Sequence, residues 1–84
     1  MYDYYFTFRS VTAAMKGSRA LEREGVSGVT VRTPKKLRQK GCGYSIRVRE
    51  ELLPAAKHAL QSADTRYQKL YRRTDSGSWQ EVLG

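Results

Sequence analysis

Strict alternation of aromatic and other residues at the start of the chain is the feature that most constrains the fold. From Tyr2 to Arg9 the period is two, which predicts a strand with one buried face. That face consists of Tyr2, Tyr4, Phe6 and Phe8. An apolar sheet face of this size has to be covered by another layer, so the rest of the chain is expected to supply helices.

Two later segments have the spacing of amphipathic helices. The first is predicted over about residues 11–24, with Ser10 or Thr12 as the N-cap and Gly25 as the stop signal. Its predicted inner stripe is Val11, Ala14, Ser18 and Leu21. Small residues at Ala13, Ala14, Gly17 and Ala20 predict a close approach to the sheet. The second helix is predicted over about 50–63, with an apolar stripe of Leu53, Ala56, Leu60 and Ala63. Its first turn is acidic, as the helix dipole favours, and can accommodate Pro54.

Further alternating runs predict the other strands. One covers 29–33 and ends at Pro34, with Val29 and Val31 expected on the buried face. Another covers 44–49, and the tail from 67 to 82 has the pattern of a hairpin. The order β-α-β-β-α-β plus a closing strand predicts an α+β, ferredoxin-like sandwich, a single domain over 1–84 with two helices on one face of an antiparallel sheet.

Composition narrows the classes of function. Lys and Arg outnumber Asp and Glu by 16 to 8, so acidic partners are favoured. The one cysteine allows neither an internal disulfide nor a zinc knuckle of paired thiolates, and we predict no metal and no cofactor. Residues 1–3 lack the pattern of a signal peptide, and no apolar run reaches the roughly 18 residues of a membrane span, so a cytoplasmic protein without membrane contact is expected.

The cysteine itself has an unusual setting. Cys42 lies between Gly41 and Gly43, whose backbone freedom suits the presentation of a sulfur at a loop tip. Four cations precede it, and nearby positive charge favours the thiolate and lowers the pKa of a thiol. They are Lys35, Lys36, Arg38 and Lys40. The alternative interpretation is a small buried hydrophobe at the start of a strand, with glycines that serve only the turn.

The stretch 33–48 carries a resemblance to a known family. Its order of Thr-Pro, basic segment, Gly-Cys-Gly and alternating strand resembles the signature of the Se/S carrier protein-like family. The resemblance extends over roughly residues 4–63, so 1–63 is interpreted as the family's core and 64–84 as a hairpin extension. It implies that Cys42 holds sulfur or selenium as a persulfide or selenopersulfide and passes it on, as a carrier rather than a turnover enzyme. The partner implied is a cysteine desulfurase or a selenium-metabolism protein.

The open face of the sheet suggests a second function. Side chains opposite the aromatic face are largely basic, and basic sheet faces bind RNA. The candidates are Tyr5, Arg9, Arg32, Arg47 and Arg49, with Thr7, Thr30 and Ser45 on the same predicted face. Because Tyr5 alone would stack on a base, this alternative predicts only weak, non-specific nucleic-acid binding, or binding of an acidic protein. A homodimer that pairs through a sheet edge is a further expectation.

Overall fold

The computed structural model describes residues 2–37 and 43–82. The strands are β1 (Asp3–Phe8), β2 (Val29–Arg32), β3 (Tyr44–Arg49), β4 (Lys69–Arg73) and β5 (Trp79–Val82). The helices are α1 (Val11–Arg23) and α2 (Leu53–Ser62), the latter preceded by one 3-10 turn (Glu50–Leu52). Neither helix in these ranges is long and apolar enough to cross a bilayer.

The strands form one sheet in the order β2-β3-β1-β4-β5 with every neighbouring pair antiparallel. Both helices pack on one face of this sheet. The arrangement is consistent with a ferredoxin-like fold to which β5 is added at one edge, and the predicted fold class is confirmed. Because β1 and β2 run in the same direction and β3 runs opposite, β1 and β2 end where β3 begins. We call this end of the sheet the loop end.

Local signals set the limits of α1. The Ser10 side chain accepts a hydrogen bond from the Ala13 amide at 3.2 Å, so Ser10 rather than Thr12 is the N-cap. Gly25 ends the helix with φ +72°, a conformation that suits glycine. Gly17 lies so close to β1 that a Cβ there would be 2.8 Å from Cζ of Phe8. Val11, predicted on the inner stripe, is instead exposed, because the helix turns its small residues toward the sheet.

The core lies between the helices and one face of the sheet. Tyr4, Phe6 and Phe8 are buried there against Ile46 and Val48. Both faces predicted for β1 and β3 are therefore confirmed. The helix face buries the large apolar side chains of both strands. The residues Tyr5, Thr7 and Ser45 lie on the other face as predicted, but they are buried as well and do not project into solvent.

The prediction for β2 was wrong about its faces. Val29 pairs with Arg47 and Thr30 with Ile46, so Thr30 and Arg32 lie on the helix side and the valines lie on the open face. Gly28 gives the physical reason, since a Cβ at that position would be 2.9 Å from Cγ2 of Ile46. The backbone at the start of β2 runs so close to the core that the helix-side position just before Val29 can hold only glycine.

The tail forms the predicted hairpin of β4 and β5. β4 also pairs with β1, so the hairpin is part of the same sheet and lies next to its central strand. Trp79 reaches across β4 to contact Tyr5 edge-on, with 4.8 Å between the ring centroids. This contact fixes the hairpin to the body of the protein.

Candidate functional site

The cysteine loop joins β2 to β3 at the loop end of the sheet. Cys42, Gly41, Arg38 and Lys40 lie outside the described residues. Lys35, Lys36 and Gly43 are described, together with the residues on either side of the loop. The structure therefore defines the site by the two positions where the loop leaves and rejoins the sheet.

A backbone hydrogen bond closes the base of this loop. The Thr33 amide donates to the carbonyl oxygen of Gly43 at 3.0 Å, which continues the pairing of β2 and β3 one step past Arg32 and Tyr44. Pro34 follows at once and has no amide proton to donate, so the ladder ends here. Gly43 is the neighbour of the cysteine in sequence. Cys42 is thus attached directly to a backbone position that the sheet holds.

A pair of hydroxyl groups strengthens the same closure. Oγ1 of Thr33 and Oγ of Ser45 are 2.7 Å apart, and the residues are 4% and 0% exposed. A hydrogen bond removed from water in this way holds both strands in register, because either hydroxyl would lose its partner if the strands separated. The alternation of residues 29–33 places Thr33 on the same predicted face as Val29 and Val31, opposite the face predicted for Ser45, so the pair was not predicted. The available signal was a hydroxyl residue on each side of the loop.

The first part of the loop is a tight turn that exposes its lysines. The Leu37 amide donates to the carbonyl oxygen of Pro34 at 2.9 Å. Lys35 and Lys36, between these two residues, are exposed, whereas Leu37 is 7% exposed. Leu37 is not among the residues of the helix-side core. Its burial anchors the basic segment so that the two ammonium groups face solvent near the start of the loop.

The residues of the nucleic-acid alternative do not share one surface. Tyr5, Arg47 and Arg49 face the open side of the sheet, Arg9 follows the end of β1, and Arg32 lies on the helix side. The prediction that Arg32 and Thr30 join the open face was therefore wrong. Tyr5 is 5% exposed because Trp79 packs against it, so its ring has little surface to offer a base.

The open face contains aromatic residues that the sequence analysis did not assign to it. Tyr71 pairs with Tyr5 across β1 and β4, and Arg73 pairs with Trp79 across β4 and β5. The Arg73 guanidinium lies 5.6 Å from the centroid of the Trp79 ring. These residues were missed because the tail was treated as an extension. The alternation of residues 69–73 identifies Tyr71 and Arg73 as open-face residues once β4 is known to pair with β1.

The remaining features of the described residues do not add to the cysteine site. An open cleft of about 760 Å³ lies at the opposite end of β2 and β3, where Leu21, Gly28 and Arg49 are among its lining residues. Among residues 2–37 and 43–82 there is no cluster of three potential metal ligands. His58 is exposed on α2 and contacts Ser62 at 3.5 Å, as expected for a surface histidine.

Comparison with known proteins identifies one family. The family model described as "Putative Se/S carrier protein-like" matches residues 3–72. This range begins at the first residue of β1 and ends within β4, so it includes both helices and the cysteine loop. No curated protein and no solved structure matches the chain.

Proposed function

The chain belongs to the Se/S carrier protein-like family, and from this membership we propose that it carries sulfur or selenium on Cys42. One observation supports the proposal above the others. The loop that contains the cysteine is held at its base by the Thr33 to Gly43 hydrogen bond and by the buried Thr33 and Ser45 hydroxyls. A fixed backbone position next to the thiol lowers the entropic cost of presenting that thiol to a second protein.

The proposed reaction is a thiolate exchange at sulfur. The Cys42 thiolate attacks the outer sulfur of a donor persulfide, a new S–S bond forms on Cys42, and the S–S bond of the donor breaks. The donor cysteine leaves as a thiolate, and the proton of the persulfide stays with the transferred sulfur. No oxidant or reductant is consumed. An acceptor thiolate then removes the outer sulfur in the same way and restores Cys42.

The residue content of the loop fits a carrier better than a reductase. The chain has one cysteine, so it has no second thiol that would convert the persulfide into an internal disulfide and release the cargo. Lys35 and Lys36 are exposed close to the start of the loop, and positive charge stabilises both a thiolate and a persulfide anion. In this proposal Arg38 and Lys40 act in the same way, and Gly41 and Gly43 permit the loop geometry.

The direct test is the mass of the protein after exposure to a donor. We expect glutathione persulfide, and separately a cysteine desulfurase with cysteine, to add the mass of one sulfur that a thiol reductant removes. The Cys42→Ser variant is the matched control and should gain nothing. Equal labile mass on both proteins, or none on the wild type with either donor, would exclude the carrier function. Selenocysteine in place of cysteine distinguishes selenium from sulfur as the cargo.

A second measurement separates a presented thiol from a buried one. Iodoacetamide reacts with the thiolate, so the labelling rate of the native protein against pH reports both access and charge state. We expect labelling without denaturant, with a midpoint below that of free cysteine and shifted upward in Lys40→Ala. A thiol that reacts only after denaturation would favour the interpretation of Cys42 as a buried hydrophobe.

A further inference from the structure

Acidic side chains are concentrated at one end of the sheet. Six of the eight lie at the end opposite the cysteine loop: Asp3, Glu22, Glu24, Glu50, Glu51 and Asp75. They occupy the start of β1, the end of α1, the turn after β3 and the turn between β4 and β5. The other two are Asp64 and Glu81, and the Glu81 carboxylate lies 3.5 Å from the ammonium of Lys69. The loop end is therefore the positive pole of the molecule.

Several elements contribute cations to this pole. Arg9 follows β1, Arg32 ends β2, and Lys35 and Lys36 begin the cysteine loop, and all four side chains are exposed. The register of β2 places Arg32 beside Tyr44, on the side of the sheet where the helices lie. Arg32 thus lies on the same side of the sheet as α1, so its positive charge adds to the helix side and not to the open face.

Exposed apolar side chains accompany these cations. Val11 and Met15 are 46% and 50% exposed, and they are four residues apart on α1, so they lie on one face of the helix. α1 begins at the loop end because β1 ends there. Ser18 and Glu22 continue the same face of α1 and line a cleft together with Val29 of β2, so Val11 and Met15 lie on the side of α1 that borders β2. Methionine is enriched at the centre of protein interfaces, where charged residues form the rim.

We propose that Arg9, Val11, Met15, Arg32, Lys35 and Lys36 form a docking surface for a protein that presents an acidic rim around an apolar centre. This inference rests on the proposed function, because it identifies the partner as the donor or acceptor of the sulfur on Cys42. Complementary charge would accelerate the encounter and orient the partner toward the cysteine loop. The apolar centre would then slow dissociation.

Two other occupants fit the surface less well. Single-stranded nucleic acid is bound by cations together with stacking on exposed aromatic rings, but Tyr44 and Tyr67 at this end are half-buried against the core. Aliphatic side chains such as Val11 would gain little from a phosphate backbone. A second copy of the chain would bring one net charge of +8 against another. An acidic protein satisfies both the cations and the exposed apolar residues.

The test maps the binding of defined probes onto the intact protein by NMR. The probes are a short peptide of glutamates and leucines, a polyglutamate peptide of equal length and oligo(U). We expect the mixed peptide to shift the amides of Arg9, Val11, Met15, Arg32 and Lys36 and to bind more tightly than polyglutamate. Shifts centred on Arg47 and Trp79 would overturn the proposal. Tighter binding of oligo(U) at the same residues would replace a protein partner with nucleic acid.

Variants make the charge and apolar contributions separable. Arg32→Glu should weaken binding of the mixed peptide about tenfold. Arg23→Glu, an exposed residue at the far end of α1, makes the same change in net charge and should weaken it less than twofold. Met15→Ser should weaken the mixed peptide about threefold and leave polyglutamate unchanged. Equal effects of Arg32→Glu and Arg23→Glu would show a response to net charge only and would reject the surface.

Docking and carrying can fail independently. Peptide binding is expected to survive Cys42→Ser, because the cysteine is not among the docking residues. Glutathione persulfide needs no docking, so it should load the Arg32→Glu variant as fast as the wild type. If the protein binds the peptide but is not loaded with persulfide, the proposed carrier function is rejected. If the protein is loaded with persulfide but does not bind the peptide, only the docking surface is rejected.

Discussion

Removal of one hydroxyl of the Thr33 and Ser45 pair should destabilise the protein, whereas removal of both should cost little more. Thr33→Val keeps the shape and the β-branched side chain of threonine, and Ser45→Ala removes only an oxygen atom. Each single variant leaves the other hydroxyl buried without its partner at 2.7 Å. The double variant leaves neither hydroxyl, so the coupling between the two sites is the quantity of interest.

The burial of both residues sets the expected size of the effect. An unsatisfied buried hydroxyl costs about 1 to 3 kcal/mol, and Ser45 is fully buried. We therefore expect each single variant to lose about 1.5 kcal/mol of unfolding free energy. For a domain of this size the loss lowers Tm by about 6 to 12 °C. The double variant should also lose about 1.5 to 2 kcal/mol, which is about 1 to 1.5 kcal/mol less than the sum of the two single changes.

Chemical denaturation of the four proteins measures this cycle, and hydrogen exchange localises it. The Thr33 amide, which donates to Gly43, should exchange faster in both single variants than global unfolding explains. Ser76→Ala is the control, because its hydroxyl is 2.9 Å from that of Thr74 in an exposed turn. That substitution should change stability by less than about 0.5 kcal/mol.

Additive effects in the double variant would refute the reasoning, since they would mean that the two hydroxyls do not depend on each other. Single variants as stable as Ser76→Ala would refute it as well. In that case the backbone bond between Thr33 and Gly43 would be the main closure of the cysteine loop.

Two further predictions concern the packing that supports the site. Gly17→Ala should destabilise the protein by about 1 to 2 kcal/mol in thermal unfolding, because a new Cβ would be 2.8 Å from the buried ring of Phe8 and 3.2 Å from Ile46. The gain of up to about 1 kcal/mol in helix propensity is smaller than this, and a stabilised variant would contradict the close packing of α1. Trp79→Ala should expose Tyr5 and lower stability by about 2 kcal/mol, which fluorescence of the tyrosines and denaturant titration can follow. An unchanged midpoint would mean that the hairpin is held by backbone pairing only.

Much of the scaffold was predictable because its signals are local. The alternation of β1 and β3 places Tyr4, Phe6, Phe8, Ile46 and Val48 on one face, and the burial of these side chains fixes the orientation of both strands. Ser10 and Gly25 limit α1 through backbone chemistry within a few residues. The family resemblance of the stretch around Cys42 also depends only on the order of residues along the chain, and the family model confirms it.

The surfaces depended on the tertiary structure. No residue of the short edge strand β2 is buried, so burial energy does not select its face. Its register against β3, close to Gly28, decided that Arg32 lies on the helix side. The ring of Tyr5 is covered by Trp79, a residue distant in sequence, and is therefore not exposed to solvent. Thr33 and Ser45 meet only because β2 and β3 pair. Hydrophobic period and caps are properties of neighbouring residues, whereas the partners across a sheet are set by register, and register is a property of the whole fold.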